Sequence, residues 1–266
     1  MIKFIIIIAV AVIAIRLARR RSGKTVTYTT PGGPTWDLFT DALSQPHLLI
    51  AGTTGSGKSV IINGLIDTLM HRLPFDQPGN AQLILIDPKR VELSQYKDLP
   101  HTVRYASEPA TMLEALRDAM AITERRFQAM QRKGEKLYSG GDLYVVIDEW
   151  ADLMTTQKKA VMPIVQRLAQ VGRAARVHII LATQTPLATI LPTEIKCNFD
   201  ARFALRTMNA SQSRVIMEQS GCESLPRFGS GFYVTPAGSA LYDIPYVQPE
   251  EIKRNLDWWD RQRRAA

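Results

Sequence analysis

An α/β fold with a mainly parallel central sheet is what this 266-residue sequence predicts, and three observations predict it. Short continuous apolar runs recur, Gln82 to Asp87, Leu143 to Asp148 and Val177 to Thr183 among them, as strands buried on both faces require. Stretches of helical period separate these runs, the alternation expected of right-handed βαβ units. The third observation is the stretch from Leu48 to Ser59, where an apolar run passes through a glycine-rich turn into a helical pattern, Val60 to Leu73.

That turn, Gly52-Thr53-Thr54-Gly55-Ser56-Gly57-Lys58-Ser59, fits the phosphate-binding pattern G-x-x-x-x-G-K-[ST] with the strand before it and the helix after it that the pattern needs. Its backbone N–H groups can face phosphates held at the positive end of the following helix. Lys58 then reaches the β- and γ-phosphates, and the Ser59 hydroxyl binds Mg²⁺. The competing reading is a plain glycine-rich turn between strand and helix.

Composition bounds the rest. With 45% hydrophobic and 22% charged residues, the chain can bury one substantial α/β core, with little left for a second domain. The formal net charge of +8 sits at the two ends: residues 1–24 carry +6 and residues 251–266 carry +2, so residues 25–250 are neutral. The net charge therefore does not argue for a nucleic-acid partner, and any polyanion contact must come from a local patch. Cys197 and Cys222 show neither metal-ligand spacing nor a disulfide framework and read as incidental thiols.

In chain order, Ile2 to Ala18 is an apolar stretch of about 17 residues, roughly 25 Å as a helix against a hydrocarbon core of ~30 Å. It suffices as a membrane anchor if Lys3 and Arg16 reach to the interface, and Arg19 to Arg21 after it place the remainder in the cytoplasm. A cleaved signal peptide and an interfacial or packed helix are the competing readings. Residues 1–21 are thus expected as anchor and basic flank, 22–35 as linker, 36–250 as the α/β domain and 251–266 as a basic helix carrying Trp258 and Trp259.

Thr111 to Lys133 reads as an amphipathic surface helix, and Ala160 to Ala175 as another. The run Leu143 to Asp148 ends in two carboxylates, Asp148 and Glu149. At the end of a strand beside a P-loop, Asp148 can bind Mg²⁺ and Glu149 can polarise an attacking water; a charge pair at a helix N-terminus is the plainer alternative. Val177 to Thr183 ends at Gln184, an amide able to hold that water, or an ordinary polar residue at a strand end. Pro186 to Asp200 reads as a loop, Ala201 to Leu205 as a last strand, Ser213 to Gln219 as a short helix, and Gly229 to Val234 with Ala240 to Tyr246 as a hairpin at the sheet's end.

Five stretches in this order resemble the FtsK/SpoIIIE DNA translocases of the HerA–FtsK branch of P-loop ATPases: Pro46 to Ser59 (PHLLIAGTTGSGKS), Ile86 to Tyr96 (IDPKRVELSQY), Val145 to Leu153 (VVIDEWADL), Arg167 to Gln184 (RLAQVGRAARVHIILATQ) and Ile195 to Phe203 (IKCNFDARF). The resemblance implies a RecA-like sheet of strand order 5-1-4-3-2, which sets the Gln184 strand between the P-loop strand and the Asp148 strand. It implies a ring, commonly a hexamer, that threads double-stranded DNA at the expense of ATP. Lys58, Ser59, Asp148, Glu149 and Gln184 match the family's site positions. An arginine supplied by a neighbouring subunit is expected, with Arg173 and Arg202 as candidates, and Lys196 in the Pro186 to Asn198 loop is the candidate DNA contact. The sequence departs from the family pattern at Thr185, where arginine is usual, and at Arg176, where glycine is usual. It has no stretch for the family's sequence-reading winged helix, so a role with phage, plasmid or conjugative-element DNA is expected before oriented chromosome segregation. A protein-secretion motor of the same superfamily and a non-hydrolysing membrane scaffold are the alternatives.

Overall fold

The computed structural model describes residues 37–72, 81–244 and 249–265. The anchor expected over 2–18 and the linker over 22–35 lie outside these residues, and no helix among the described residues is long and apolar enough to cross a membrane. The elements are α1 (Asp37–Ser44), β1 (His47–Ala51), α2 (Lys58–Arg72), β2 (Gln82–Ile86), β3 (Thr102–Ala106), α3 (Pro109–Lys133), β4 (Leu143–Ile147), α4 (Trp150–Ala175), β5 (Val177–Thr183), α5 (Thr193–Lys196), β6 (Ala201–Ala204), α6 (Ala210–Met217), β7 (Ser230–Thr235), β8 (Gly238–Asp243) and α7 (Pro249–Ala265).

One eight-stranded sheet runs β3-β2-β4-β5-β1-β6-β7-β8. It is parallel from β3 to β6 and antiparallel through the β7–β8 hairpin. Setting β3 aside, the parallel strands follow the expected order 5-1-4-3-2, and β5 lies between β1 and β4. The apolar runs explain this burial. Successive side chains of a strand point to opposite faces, and here both faces are covered. Leu49, Val145, Ile147 and Leu181 meet α3 and α4 on one face, while Leu48, Ile50, Val146 and Ile180 meet α1 and α2 on the other.

Four elements differ from expectation, the first being the short helix α5 within the stretch read as a loop. β3 is an added edge strand, partly exposed, whose Arg104 pairs with Glu114 and Asp118 of α3, so it lacks the apolar run of its neighbours. α1 adds a short apolar face that packs on α2, with Phe39 so close to Gly64 that a Cβ there would approach its ring to 2.5 Å. α4 begins ten residues before Ala160, at Trp150, and its backbone breaks at Gln157 (φ −141°) within the polar stretch that masks the helical period.

At the N-terminal edge of the sheet, α4 turns into β5 through Arg176, a non-glycine residue in the left-handed region (φ 54°, ψ 43°). This is where the family pattern has glycine, and the side chain offsets the strain. Arg176 Nε and Nη2 donate to the two oxygens of Asp142 at 2.8 and 2.7 Å. His178 lies between Asp142 Oδ1 and Pro46 O, at 2.9 and 3.0 Å. Burial alone pushes the Asp142 carboxyl up, but the bonds from His178 and Arg176 outweigh it and hold the group well below the usual carboxylate range.

Beside this cluster His47 is buried and accepts the Ile179 N–H at Nδ1, 3.1 Å. Burial, and then the charge of His178, lower its pKa to about 4. An unfolded histidine titrates near ~6.5, so the unfolded chain takes up the proton first. The contribution is complete above about pH 6.5 and is lost as the pH falls toward 4, a change of roughly 3 kcal/mol. His47→Gln is therefore expected to flatten the fall in stability between pH 7 and pH 4.5, as read by urea denaturation.

Candidate active site

The C-terminal ends of β1, β2, β4 and β5 meet at one edge of the sheet, and the polar residues that follow them form a single cluster. The turn after β1 is shaped by two glycines. A Cβ at Gly52 would lie 2.5 Å from Leu205 Cβ and 2.7 Å from Ser56 Oγ, and Gly57 has φ 100°. The turn is tied to β6 by Thr53, whose N–H and hydroxyl both donate to Arg206 O at 2.8 and 3.1 Å. Lys58 then opens α2, so the backbone N–H groups of its first turn point back into the loop.

Lys58, 4% exposed, donates from Nζ to both the backbone O and Oδ1 of Asp148 at 3.0 Å, bringing the P-loop and the end of β4 together. Asp148 is 1% exposed, and its Oδ2 has no hydrogen-bond partner among the described residues. A carboxylate oxygen left unpaired at such depth has the chemistry to accept a cation, and Ser59 lines the cavity at the P-loop. Among the described residues no three His, Cys, Asp or Glu side chains converge as a metal centre. A divalent ion here would take most of its oxygens from phosphate and water, as Mg²⁺ does.

Glu149 follows Asp148 and is held on every side. Its Oε1 accepts the Thr183 hydroxyl at 2.8 Å and the Gln184 N–H at 3.0 Å, and its Oε2 accepts Lys89 Nζ at 2.9 Å. Gln184 in turn receives the Thr54 hydroxyl at its Oε1, 2.9 Å, which links the end of β5 to the apex of the P-loop. Lys58, Ser59, Asp148, Glu149 and Gln184 are thus brought together as expected.

Two residues of the cluster were given no role from the sequence, although Pro88-Lys89-Arg90 stands out at the strand's C-terminal end, where open α/β sheets place ligands. Lys89 is placed by Asp87, whose buried carboxylate accepts the N–H groups of Arg90 and Leu93 at 2.8 and 2.9 Å and so fixes the loop after β2. Burial opposes its charge, yet the bond to Glu149 and the carboxylates around it raise its pKa. Thr183 gave no signal, since a threonine closing a strand is ordinary.

The two candidate arginines part company. Arg202 does not fit a role in trans: it is buried, and it donates from Nε to Phe199 O at 2.8 Å and from Nη1 to Ile216 O at 2.7 Å. Its guanidinium ties β6 to α6 and reaches Glu218 Oε1 at 3.4 Å. Arg173 is exposed near the end of α4, at the opposite edge of the sheet from the P-loop. Lys196 donates to Val215 O at 3.1 Å in the last turn of α6, so its ammonium serves a helix end rather than standing free for DNA.

The sequence profile of the FtsK/SpoIIIE family matches residues 17–142 and 133–188. DNA translocase FtsK of Helicobacter pylori is 38% identical over 243 residues, which are 85% of this chain and 28% of that protein. DNA translocase FtsK of Campylobacter jejuni is 36% identical over 237 residues, 83% of this chain and 25% of that protein. The chain thus spans under a third of the length of these curated relatives. Among solved structures, the pCW3 conjugation coupling protein TcpA with ATPγS has a TM-score of 0.71 at 22% identity, covering 82% of this chain and 66% of that one. EssC from Geobacillus thermodenitrificans has a TM-score of 0.73 at 16% identity, covering 84% of this chain and 45% of that one. Both share the P-loop ATPase fold.

The Lys58–Asp148 pair is buried enough that breaking it strands a charge. Lys58→Met and Asp148→Asn are each expected to destabilise the fold by about 3 kcal/mol, and the double variant by clearly less than the sum. Urea denaturation of the four proteins checks the coupling.

Proposed function

This chain belongs to the FtsK/SpoIIIE family, and on that premise we propose that it is an ATP-hydrolysing motor that moves double-stranded DNA as a homo-oligomeric ring, commonly a hexamer. The observation that carries the reading is the buried Glu149, oriented by Thr183, Gln184 and Lys89 beside the Lys58–Asp148 pair. Asp142 is bonded as fully at the opposite edge of the sheet, so what singles out Glu149 is its place beside the P-loop lysine at the C-terminal ends of the strands. In this reading the P-loop N–H groups and Lys58 hold the β- and γ-phosphates, and the cost of desolvating those charges is met by groups already aimed at them. Ser59 and Asp148 hold Mg²⁺, which when bound neutralises phosphate charge. Glu149 orients the attacking water and takes its proton, while the Gln184 side chain, bonded to Thr54, senses the γ-phosphate. Arg173, the exposed one of the two arginines, completes the site of a neighbouring copy.

Residues 2–18 anchor the motor in the cytoplasmic membrane as a single pass, with the ATPase domain in the cytoplasm; the apolar run and Arg19 to Arg21 after it support this. The DNA it serves is that of a phage, plasmid or conjugative element. Thr185 and Arg176, both departures from the translocase pattern, support that narrower role. A second reading, a motor that drives protein through a secretion machine, is favoured by one observation, the neutral charge of residues 25–250.

The test is ATP turnover with and without duplex DNA. Duplex is expected to raise the rate in a manner weakened by salt. Lys58→Ala is expected to abolish turnover, and Glu149→Gln to lower kcat at least about a hundredfold while ATP still binds. Turnover indifferent to duplex, together with capture of a peptide substrate, would transfer the assignment to the secretion motor.

A further inference from the structure

The P-loop faces a cavity of about 540 Å³, one wall of which the chemistry of phosphate binding does not explain. Its polar side chains, Thr53, Lys58, Ser59 and Gln184, all belong to the triphosphate machinery. The other wall is Val60, Phe228 and Ile244. Phe228 is 62% exposed, and it lies outside both hydrophobic clusters of the fold. The segment that carries it is fixed: Gly229 (φ 82°) accepts the Ile244 N–H at 2.7 Å, which sets Phe228 and Ile244 side by side. Phe228 Cε1 stands 3.6 Å from where a Cβ would lie on Gly55, so the ring rises directly from the P-loop apex. Arg227 lies over that ring, 5.2 Å from its centroid, and its guanidinium reaches equally close to Gly55.

We propose that Phe228, with Val60 and Ile244, is the platform for the purine base of the nucleotide. The inference rests on the ATPase reading above. A triphosphate threaded along the P-loop with its γ end toward Glu149 and Gln184 has its α-phosphate, and hence its nucleoside, leaving past Ser59 toward Val60. Val60 follows Ser59 directly, and Phe228 and Ile244 line the same cavity. A base is a flat, weakly polar ligand, and aromatic stacking of the kind Phe228 offers binds any base by its face. Among the described residues, Val60, Phe228 and Ile244 carry no side-chain hydrogen-bond donor or acceptor of their own, the Arg227 guanidinium lying over the ring, and apolar groups of that kind discriminate poorly between bases that differ only in polar groups at their edges. Phe228 therefore sets affinity for purine nucleotides while leaving adenine and guanine weakly distinguished.

Equilibrium binding to the full chain tests this without relying on turnover. ATP is expected to bind at least tenfold more tightly than inorganic tripolyphosphate, which has the phosphates and no base, and GTP within about tenfold of ATP. Phe228→Ala is expected to weaken ATP binding about tenfold and to leave tripolyphosphate unchanged, with Phe228→Tyr restoring ATP. Equal affinity of the unaltered chain for ATP and tripolyphosphate would overturn the platform while leaving the phosphate site intact. Binding of neither would sink both readings. A parallel loss of ATP and tripolyphosphate in Phe228→Ala, or a change in native mass with no change in ATP affinity, would assign Phe228 to packing or to a contact between copies.

Discussion

A parallel sheet covered by helices on both faces has no solvated face on which to put polar side chains, and the rest of this structure follows from that constraint. The carboxylates of the site accordingly stand where the strands stop. Asp87, Asp148 and Glu149 all follow the C-terminal ends of strands and are at most 2% exposed. Buried carboxylates at that depth demand donors, and each donor drags a further element into place: Asp87 folds the loop that presents Lys89, Asp148 draws in Lys58, and Glu149 gathers Thr183, Gln184 and Lys89. The site is in this sense the solution to a desolvation problem posed by the fold. Its rigidity suits chemistry that depends on groups already in position.

Most of the fold was legible because the two-faced strands write themselves as unbroken apolar runs. His47–Ala51, Gln82–Ile86, Leu143–Ile147 and Val177–Thr183 needed no partner information to be read. The edge strand β3 was not legible, since an edge needs less burial, and Arg104 in its centre reads as surface. The break at Gln157 hid the first third of α4 for a related reason: a helix whose backbone resets loses its phase. At the site, motifs identified the residues that touch phosphate or water, but not the residues that position them. Lys89 and Thr183 act through Glu149, and that relation exists only once β2 and β5 flank β4.

The arginines show the opposite error. Arg202 and Arg206 alternate along the β6 region as if one side of that strand met solvent, yet Arg202 is 8% exposed and satisfied by carbonyl groups that the loop before β6 and the end of α6 turn toward it. A guanidinium with five donors can be buried when backbone acceptors are arranged around it, and sequence alone does not reveal that arrangement. The same lesson covers Lys196, whose amine closes the end of α6.

The turn at Arg176 has a consequence for how this sequence can drift. The position must satisfy two demands, a left-handed backbone and a bidentate partner for the half-buried Asp142. Glycine meets the first and fails the second; lysine keeps a charge but neither relieves the backbone nor forks. Substitution at 176 is therefore tied to substitution at 142. Chains with glycine at the turn are free to carry a neutral residue opposite, whereas those with arginine should retain the acid, a pairwise signature to be looked for across any set of related sequences.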